Sequence, residues 1–505
     1  MRHRRPLSGP LRHRVRRAFA PLAHLRYRWL LHHGRVDHAQ RERARAAWWG
    51  DDPRWFAGGT PPRAHNRVLP LIDGERFFAA LHEDLLAAQH YVYVAGWCFT
   101  PELPLRRGST ASLTETRLLS VLTELAERLP VRLLIWSGAP VFFQPSTAIA
   151  SAAQETMRRA PGDLRYVLDR RSHPTHTHHQ KAIVIDGQIA YLGGMDLTSF
   201  QGDRWDTPAH ALRVGPNWHD VQLRIQGEAV ADVEENFRQR WGAVTEEAAL
   251  PQRRPTIDPA WRTPVQIVRT IPPRTYPFAP RGEFGVHHAY LRALRGARRL
   301  IYLENQYLWS PHVLEALLAL LAAPPDSAFR IVLVLPAQAE DGKFDNDQHV
   351  ERLRDADAGR GLVEIYCSYS CGIGPGPRAF TYRPNYVHAK VAIIDDTWCT
   401  VGSANLNERG LITDTELNAV VRDADVARSM RLELWSEHLG LPVEALATGD
   451  PTTLIDEVWT ARAAANLASM HDGARPLIGT VQRYETGRMP GAWVIDEAQA
   501  LTLEH

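Results

Sequence analysis

The chain has 505 residues, of which 44% are hydrophobic and 23% are charged, a balance typical of a globular protein with two domains or more. The net charge is +2, but the first 36 residues hold ten arginines and no acidic residue. The remainder therefore carries −8, which disfavours a broad nucleic-acid-binding surface. The four cysteines show no metal-ligand spacing, and we expect neither a metal nor another cofactor.

The N-terminal segment, residues 1–60, places apolar residues at helical spacing between Leu11 and Trp29, among many arginines. Two interpretations stay open, a basic amphipathic segment that lies on anionic lipid and a basic tail without a membrane role. An export signal is disfavoured because Arg26 and Arg28 interrupt the apolar region that it needs. No apolar run approaches the length of a membrane span. We therefore expect a cytoplasmic protein, with peripheral contact to the inner membrane face under the first interpretation.

Residues 61–255 are predicted to form a first α/β unit. Segments with helical periodicity over 75–88 and 113–129 alternate with strand-like runs over 91–97 and 131–136. This alternation is typical of an α/β/α sandwich with a parallel or mixed sheet.

The first unit carries the motif His-Gln-Lys-Ala-Ile-Val-Ile-Asp at 179–186, followed by a glycine pair that ends at Gly194. The Asp-Gly step between two strand-like runs predicts a hairpin with a two-residue turn. Side chains alternate along a strand, so His179 and Lys181 point to one face. Two cationic groups beside glycine-rich backbone predict an anion site. Asp186 lies at the turn, where its simplest role is to stabilise local structure.

A second unit over 256–505 repeats this order at an offset of 209 residues. Its motif, His-Ala-Lys-Val-Ala-Ile-Ile-Asp at 388–395, keeps the spacing of histidine, lysine and aspartate and is followed by Gly-Ser-Ala-Asn. Residues 253–284 are interpreted as a linker, with a first strand over 265–269 as an alternative, and 368–384 as a Gly/Pro-rich loop. A constant offset indicates internal duplication, so the two units should pack about a pseudo-twofold axis and share one active site.

The chain contains three lysines, and two of them, Lys181 and Lys390, occupy equivalent motif positions. These positions therefore need a compact ammonium group rather than a guanidinium group. A neutral histidine can attack phosphorus while a protonated one gives its proton to the leaving alkoxide. The lysines can hold the non-bridging oxygens as their charge increases. Ser403, Asn405 and the backbone near Gly194 are candidate hydrogen-bonding groups.

Each histidine also needs an acid on its second ring nitrogen to fix its tautomer. The candidates are Glu416 for His388 and Asp206 for His179. The alternatives that stay open are Asp196, Asp203 and Asp414.

The paired H-x-K-x-x-x-x-D motifs with their trailing Gly-Gly and Gly-Ser-x-Asn sequences resemble the phospholipase D superfamily. The resemblance covers roughly residues 65–440 and extends to segments of its lipid-acting branch, among them 218–220 and 302–307. It implies two α/β/α sandwiches with a central site, His179 as nucleophile and His388 as general acid. One departure is Gly410, where many relatives have serine. The residues that the resemblance groups as catalytic are His179, Lys181, Asp186, His388, Lys390 and Asp395.

The expected function is hydrolysis of a glycerophospholipid to phosphatidic acid and free headgroup through a phosphohistidine, with alcohol able to replace water. The expected partners are a phospholipid and a membrane surface, without nucleic acid, and the protein is expected to be a monomer. A phosphatidyltransferase of the cardiolipin-synthase kind is the first alternative, although such enzymes commonly carry N-terminal membrane spans. A nuclease and a non-catalytic membrane scaffold are further alternatives, and the intact motif in both copies argues against the scaffold.

Overall fold

The computed structural model describes residues 59–107, 114–139, 144–172, 176–247, 249–337, 343–373 and 379–487. Almost all of the basic N-terminal segment, and with it both interpretations of that segment, lies outside these residues. Within the described ranges, none of the helices has the length and apolar character needed to cross a bilayer.

The first half forms one seven-stranded mixed sheet with the order β1-β8-β6-β5-β2-β3-β4. Strands β2, β3 and β4 run parallel, and the other neighbours are antiparallel. The strands of this half are β1 (Asn66–Ile72), β2 (Val92–Gly96), β3 (Val131–Trp136), β4 (Leu164–Asp169), β5 (Ala182–Ile185), β6 (Ile189–Gly193), β7 (Trp218–His219) and β8 (Val221–Gly227). Its helices are α1 (Asp73–Ala87), α2 (Leu118–Ala126), α3 (Thr147–Arg158) and α4 (Val230–Val244).

The second half forms a larger sheet with the order β10-β9-β18-β17-β16-β11-β12-β13-β14, and β19 pairs with β13. Its strands are β9 (Val265–Ile271), β10 (Glu283–Phe284), β11 (Leu300–Asn305), β12 (Arg330–Val334), β13 (Val363–Ile373), β14 (Phe380–Pro384), β15 (Tyr386–Val387), β16 (Lys390–Ile394), β17 (Trp398–Gly402), β18 (Glu416–Val421) and β19 (Val481–Arg483). Its helices are α5 (Gly285–Gly296), α6 (Pro311–Ala322), α7 (Lys343–Asp357), α8 (Ala424–Leu439), α9 (Val443–Ala447), α10 (Pro451–Thr453) and α11 (Thr460–Asp472), with π-helical turns at Arg409–Thr413 and Leu454–Trp459.

The two sheets share one topology. The order β9-β18-β17-β16-β11-β12-β13 repeats that of the first sheet strand by strand, with β10, β14 and β19 as additions. Strands β2 and β11 are buried along their whole length, because both faces of each sheet are covered, and this explains their nearly continuous apolar sequences. The prediction of a duplicated α/β/α fold is confirmed. The boundaries at residues 61–255 and 256–505 stay predictions.

The halves meet through one apolar core and through backbone pairing. That core takes Tyr93 and Phe237 from the first half and Tyr302 and Trp435 from the second. Strand β7 pairs in parallel with β15, so hydrogen bonds of the main chain cross from one half to the other. The two motifs are therefore held at a common interface, as expected of a pseudo-dimer.

Two predicted loops contain regular structure. The interpretation of 253–284 as a linker is wrong for its second part, because β9 pairs with β18 inside the sheet and β10 pairs with β9. The alternative of a first strand over 265–269 is confirmed by β9. The interpretation of 368–384 as a loop is also wrong, because β13 continues to Ile373 and forms an antiparallel pair with β14. Glycine and proline near the turn of this hairpin masked the strand character of its flanks.

Candidate active site

Each motif histidine lies just before an inner strand, and main-chain hydrogen bonds from the opposite half hold it there. The His179 amide donates to the Thr415 carbonyl at 2.9 Å, and the His388 amide donates to the His219 carbonyl at 2.8 Å. Burial lowers the pKa of His179, and the nearby charges of Lys181, Lys390 and His388 lower it further. The four motif side chains therefore belong to one site, with 14% of the His179 side chain and 11% of the His388 side chain exposed.

Each histidine is oriented by a carboxylate from the other half. His179 Nδ1 lies 2.9 Å from Glu416 Oε1, and His388 Nδ1 lies 2.6 Å from Asp220 Oδ2. The prediction that Glu416 pairs with His388 is therefore wrong. Because Thr415 pairs with the chain at His178 and His179, the neighbouring Glu416 faces the first motif.

Asp206 is not the partner of His179. Its carboxylate accepts hydrogen bonds from the Trp218 amide at 3.0 Å and from Asn217 Nδ2 at 2.9 Å, and it lies 3.1 Å from His210 Nδ1. These contacts hold the loop before β7 in place. Asp206 therefore supports the site indirectly, by holding this loop.

Asp220 is the orienting residue that the sequence prediction missed. In the sheets, Gly193 is paired with Gln222 and Gly402 with Asn418, so Asp220 is the structural equivalent of Glu416. The offset at this point is 196 residues instead of 209, because the first half has thirteen extra residues between the glycine pair and β8. Counting back 209 residues from Glu416 therefore leads to residue 207, next to Asp206, instead of to Asp220.

Gly194 and Ser403 occupy equivalent positions and support the two acids differently. A Cβ atom at Gly194 would lie 2.0 Å from Asp220 Oδ1, so this residue must be glycine for the carboxylate to reach His388. The Ser403 hydroxyl instead donates to Glu416. The structure thus places both predicted supporting residues beside the orienting carboxylates.

The motif lysines are buried next to the histidine backbone. Lys181 Nζ donates to the His179 carbonyl at 2.9 Å and lies 3.3 Å from Asp196 Oδ2. Lys390 Nζ donates to the His388 carbonyl and to Gln306 Oε1 at 3.1 Å. Both lysine side chains are therefore fixed before any anion binds, which is the preorganisation that transition-state stabilisation needs.

Asn405 stays a candidate hydrogen-bonding group of the site. It is buried, and its Oδ1 atom has no hydrogen-bond partner within the described part of the chain. A Cβ atom at Gly410 would lie 2.5 Å from the Asn405 carbonyl oxygen. A serine at 410 would therefore require the backbone to shift, which gives a steric reason for glycine at this position.

The site holds several cationic groups with little access to water. Burial, followed by the charges of Lys181 and Lys390, holds the pKa of His179 well below its ordinary value. Burial and Lys390 do the same to the pKa of His388, and burial lowers the pKa of Lys390 to about 7. Burial raises the pKa of Asp220 to about 6. An arriving anion would favour the protonated forms of the basic groups.

We therefore expect the protein to take up protons when it binds sulfate, which carries no proton near neutral pH. Because the bound state holds more protons than the free state, sulfate affinity should fall as pH rises through 7. Calorimetric titration in buffers of different ionisation enthalpy measures the uptake, and Lys390→Met should reduce it. Net proton release on binding would contradict this electrostatic description.

Asp186 and Asp395 lie at the turns of the two hairpins and are not part of the histidine site. Asp186 accepts hydrogen bonds from the amides of residues 89–91 at 2.7–3.0 Å, and Asp395 accepts from those of residues 298–300 at 2.7–2.9 Å. Each carboxylate ties its turn to the chain leading into β2 or β11. Their placement with the catalytic residues is thus corrected to a structural role.

Asp186→Ala and Asp395→Ala should each lower stability by about 2–4 kcal/mol, because three amides lose a charged acceptor. Activity per folded molecule should change less than about threefold, since neither carboxylate contacts the histidines. Thermal unfolding and active-site titration separate the two effects. A loss of turnover in fully folded protein would restore these residues to the catalytic group.

A buried network of histidines and carboxylates lies next to His388. Its nitrogen and oxygen atoms are close enough to ligate a metal ion, but both ring nitrogens of His219 face carboxylates, at 2.8 Å from Glu437 and 2.7 Å from Glu304. Burial opposes protonation, yet Glu437, Glu304 and Asp73 raise the pKa of His219 well above its ordinary value. We therefore interpret this ring as an imidazolium that neutralises its neighbours. Two groups that share His219 have metal-compatible spacing, and they are Asp73, His210, His219 and Glu437 in one and His219, Glu304 and His438 in the other.

The Nδ1 atoms of both motif histidines are engaged by carboxylates, whereas their Nε2 atoms have no hydrogen-bond partner among the described residues. A neutral ring can thus offer a lone pair at Nε2, and the other ring, when protonated, can give a proton from Nε2. The fold and the site define a duplicated α/β/α protein with a composite two-histidine, two-lysine centre.

Comparison with known proteins agrees with this class. A family model described as phospholipase D matches residues 84–217, and one described as cardiolipin synthase, PLD-like domain, matches residues 290–437. The chain is 26% identical to phospholipase D A of Dictyostelium discoideum over 75% of its own length and 36% of that protein's. It is 25% identical to phospholipase D alpha 4 of Arabidopsis thaliana over 77% of its own length and 68% of that protein's. The chain belongs to the phospholipase D superfamily.

A solved structure shares the fold. Phosphatidylserine synthase from Haemophilus influenzae Rd KW20 aligns with a TM-score of 0.51 at 13% identity, covering 88% of this chain and 94% of that one. At this identity the likeness concerns the fold alone.

Proposed function

We propose that this chain is a phospholipase D-type phosphodiesterase that hydrolyses glycerophospholipids to phosphatidic acid and free headgroup. The observation that carries the proposal is that each half supplies the carboxylate that binds Nδ1 of the histidine in the other half. Both Nε2 atoms are therefore available beside the two fixed lysine side chains. The phospholipase D relatives support the lipid substrate.

In the first step, His179 Nε2 attacks phosphorus and the bond to the headgroup oxygen breaks. His388 Nε2 gives its proton to the departing alkoxide. Glu416 accepts the Nδ1 proton of His179 in a hydrogen bond and stabilises the positive charge that develops on that ring. Lys181, Lys390 and Asn405 are the candidates to hold the non-bridging oxygens. The products are the headgroup alcohol and a phosphatidyl group bonded to His179.

In the second step, water attacks the phosphohistidine. His388, now neutral, takes the proton from water, and the bond between phosphorus and His179 Nε2 breaks to release phosphatidic acid. An alcohol in place of water gives transphosphatidylation. The same chain supplies both histidines and both acids, so a monomer suffices. We propose that it acts as a peripheral protein, and its cytoplasmic location stays a prediction.

A phosphatidyltransferase is the second candidate, favoured by the cardiolipin-synthase description of the model that matches residues 290–437. It differs only in the acceptor of the second step. The test is a headgroup-release panel across phospholipid classes with and without ethanol, followed by product analysis with phosphatidylglycerol as sole substrate. Phosphatidic acid as main product supports hydrolysis, cardiolipin supports transfer, and the absence of headgroup release from every class would contradict both.

A further inference from the structure

We propose that a surface built around Val214 and Ile373 inserts into the headgroup region of a phospholipid bilayer and holds the entrance of the site against it. The Val214/Ile373 surface is defined as residues 211–215, 371–373 and 379–383. The proposal rests on the proposed function, because it names the surface from which the site would take its lipid.

The two side chains are unusually exposed. Val214 is 95% exposed and Ile373 is 86% exposed. The other large hydrophobic residues that are exposed in the described part of the chain are 44–52% accessible, so about half of each residue is still covered. Two nearly bare aliphatic tips suit shallow insertion into a lipid interface, where apolar area leaves water.

Val214 and Ile373 come from different halves but belong to one surface. A Cβ atom at Gly372 would lie 2.8 Å from Leu212 Cβ, so the two segments touch. The Arg383 guanidinium donates to the Arg213 carbonyl at 3.1 Å. Ile373 stands near the turn end of the β13–β14 hairpin, opposite Phe380. The loop that carries Val214 lies within the stretch that is thirteen residues longer in the first half.

Both segments lead directly to the site. Val214 is four residues before Trp218, whose ring centre lies 5.0 Å from that of His388. Strand β14 ends two residues before Tyr386, whose ring lies 4.8 Å from Trp218 and 6.1 Å from His388. The Tyr386 amide donates to the Asn217 carbonyl at 2.7 Å. A bilayer that contacted Val214 and Ile373 would therefore lie near Trp218 and Tyr386, the aromatic residues beside His388.

The charge of both segments suits a phosphate-bearing lipid surface and disfavours a basic protein partner. Residues 207–219 and 365–394 contain no aspartate or glutamate, although the chain as a whole is rich in acids. Arginines lie in both segments. Phosphate groups at a lipid surface attract such a basic rim. A second protein would need about 800 Å² of complementary surface on each side, whereas the distinctive feature here is two separate tips.

The first test is vesicle binding by the full chain in a His179→Asn background, which prevents turnover. Vesicles of phosphatidylcholine and phosphatidylglycerol are used at high salt, which screens binding by the basic N-terminal segment. Val214→Asp with Ile373→Asp should weaken binding about tenfold or more. The matched control, Leu86→Asp with Ile257→Asp, places two charges at other exposed positions and should bind like the parent.

The second test uses the active chain. The same double substitution should reduce activity on vesicles about tenfold but leave activity on a short-chain, monomerically dispersed phospholipid unchanged. Val214→Ser with Ile373→Ser gives a milder loss and serves if the aspartates disturb folding. Equal vesicle binding by test and control variants would overturn the proposal, as would a concentration-dependent dimer that only the test variant abolishes. Absence of all phospholipid cleavage would contradict the proposed function. The vesicle-binding experiment would then still show whether the Val214/Ile373 surface binds lipid.

Discussion

His179→Asn is expected to reduce phospholipid cleavage at least about 10⁴-fold, the scale on which a covalent nucleophile is lost. The ring is neutral near pH 7 because burial and two nearby lysines lower its pKa, and Glu416 fixes the tautomer that leaves Nε2 free. Substrate labelled with ³²P, quenched during turnover, should give a labelled protein in the parent and none in this variant.

His388→Asn should be equally inactive on natural headgroups, but it should recover the first step on a p-nitrophenyl phosphatidyl ester. That leaving group has a pKa of about 7 and needs little help from a general acid. A burst of nitrophenol and a trapped phosphohistidine are therefore expected. Exposed His471→Asn is the control and should behave like the parent. A labelled adduct in His179→Asn that maps to His388 would reverse the two roles.

The second large effect concerns the carboxylates, where Glu416→Gln and Asp220→Asn should each cost about 10²–10⁴ in rate. An amide can no longer fix the required tautomer or stabilise a charged ring. The structure pairs Glu416 with the nucleophile and Asp220 with the acid. The nitrophenyl ester should therefore relieve much of the first-step defect of Asp220→Asn and little of that of Glu416→Gln.

This difference in leaving-group dependence tests, in solution, whether each histidine is oriented by the acid of the other half. Asp206→Asn is the informative comparison, because Asp206 holds the loop before β7 and does not contact His179. It should have a smaller effect that does not vary with the leaving group. If Glu416→Gln were rescued by the better leaving group and Asp220→Asn were not, each histidine would be oriented from within its own half.

The duplication could be predicted because it depends on spacing along the chain, which the sequence records directly. His179 and His388 stand at the same point of two equal motifs, and the strands around them are buried apolar runs. The partners of the histidines could not be predicted in the same way. They depend on which strand edges meet across the interface, and β7 and β15 are too short to leave a pattern.

The missed acid has a specific cause. Thirteen extra residues precede Asp220 in the first half, so a fixed offset carries Glu416 to the neighbourhood of Asp206 instead. Sheet register, which pairs Gly193 with Gln222 and Gly402 with Asn418, gives the correct equivalence. The β13–β14 hairpin was missed because local glycine and proline preferences outweighed the strand signal, although pairing within the sheet decides the fold there.

In a symmetric dimer of identical subunits, one codon change would alter both sides of the centre together. Here one chain carries both sides, and equivalent positions differ, with glycine against serine at 194 and 403 and aspartate against glutamate at 220 and 416. Selection can therefore adjust the residue that attacks and the residue that protonates independently. A substitution at one of these positions therefore changes one histidine or one acid and leaves its counterpart unaltered, which is impossible in a symmetric homodimer.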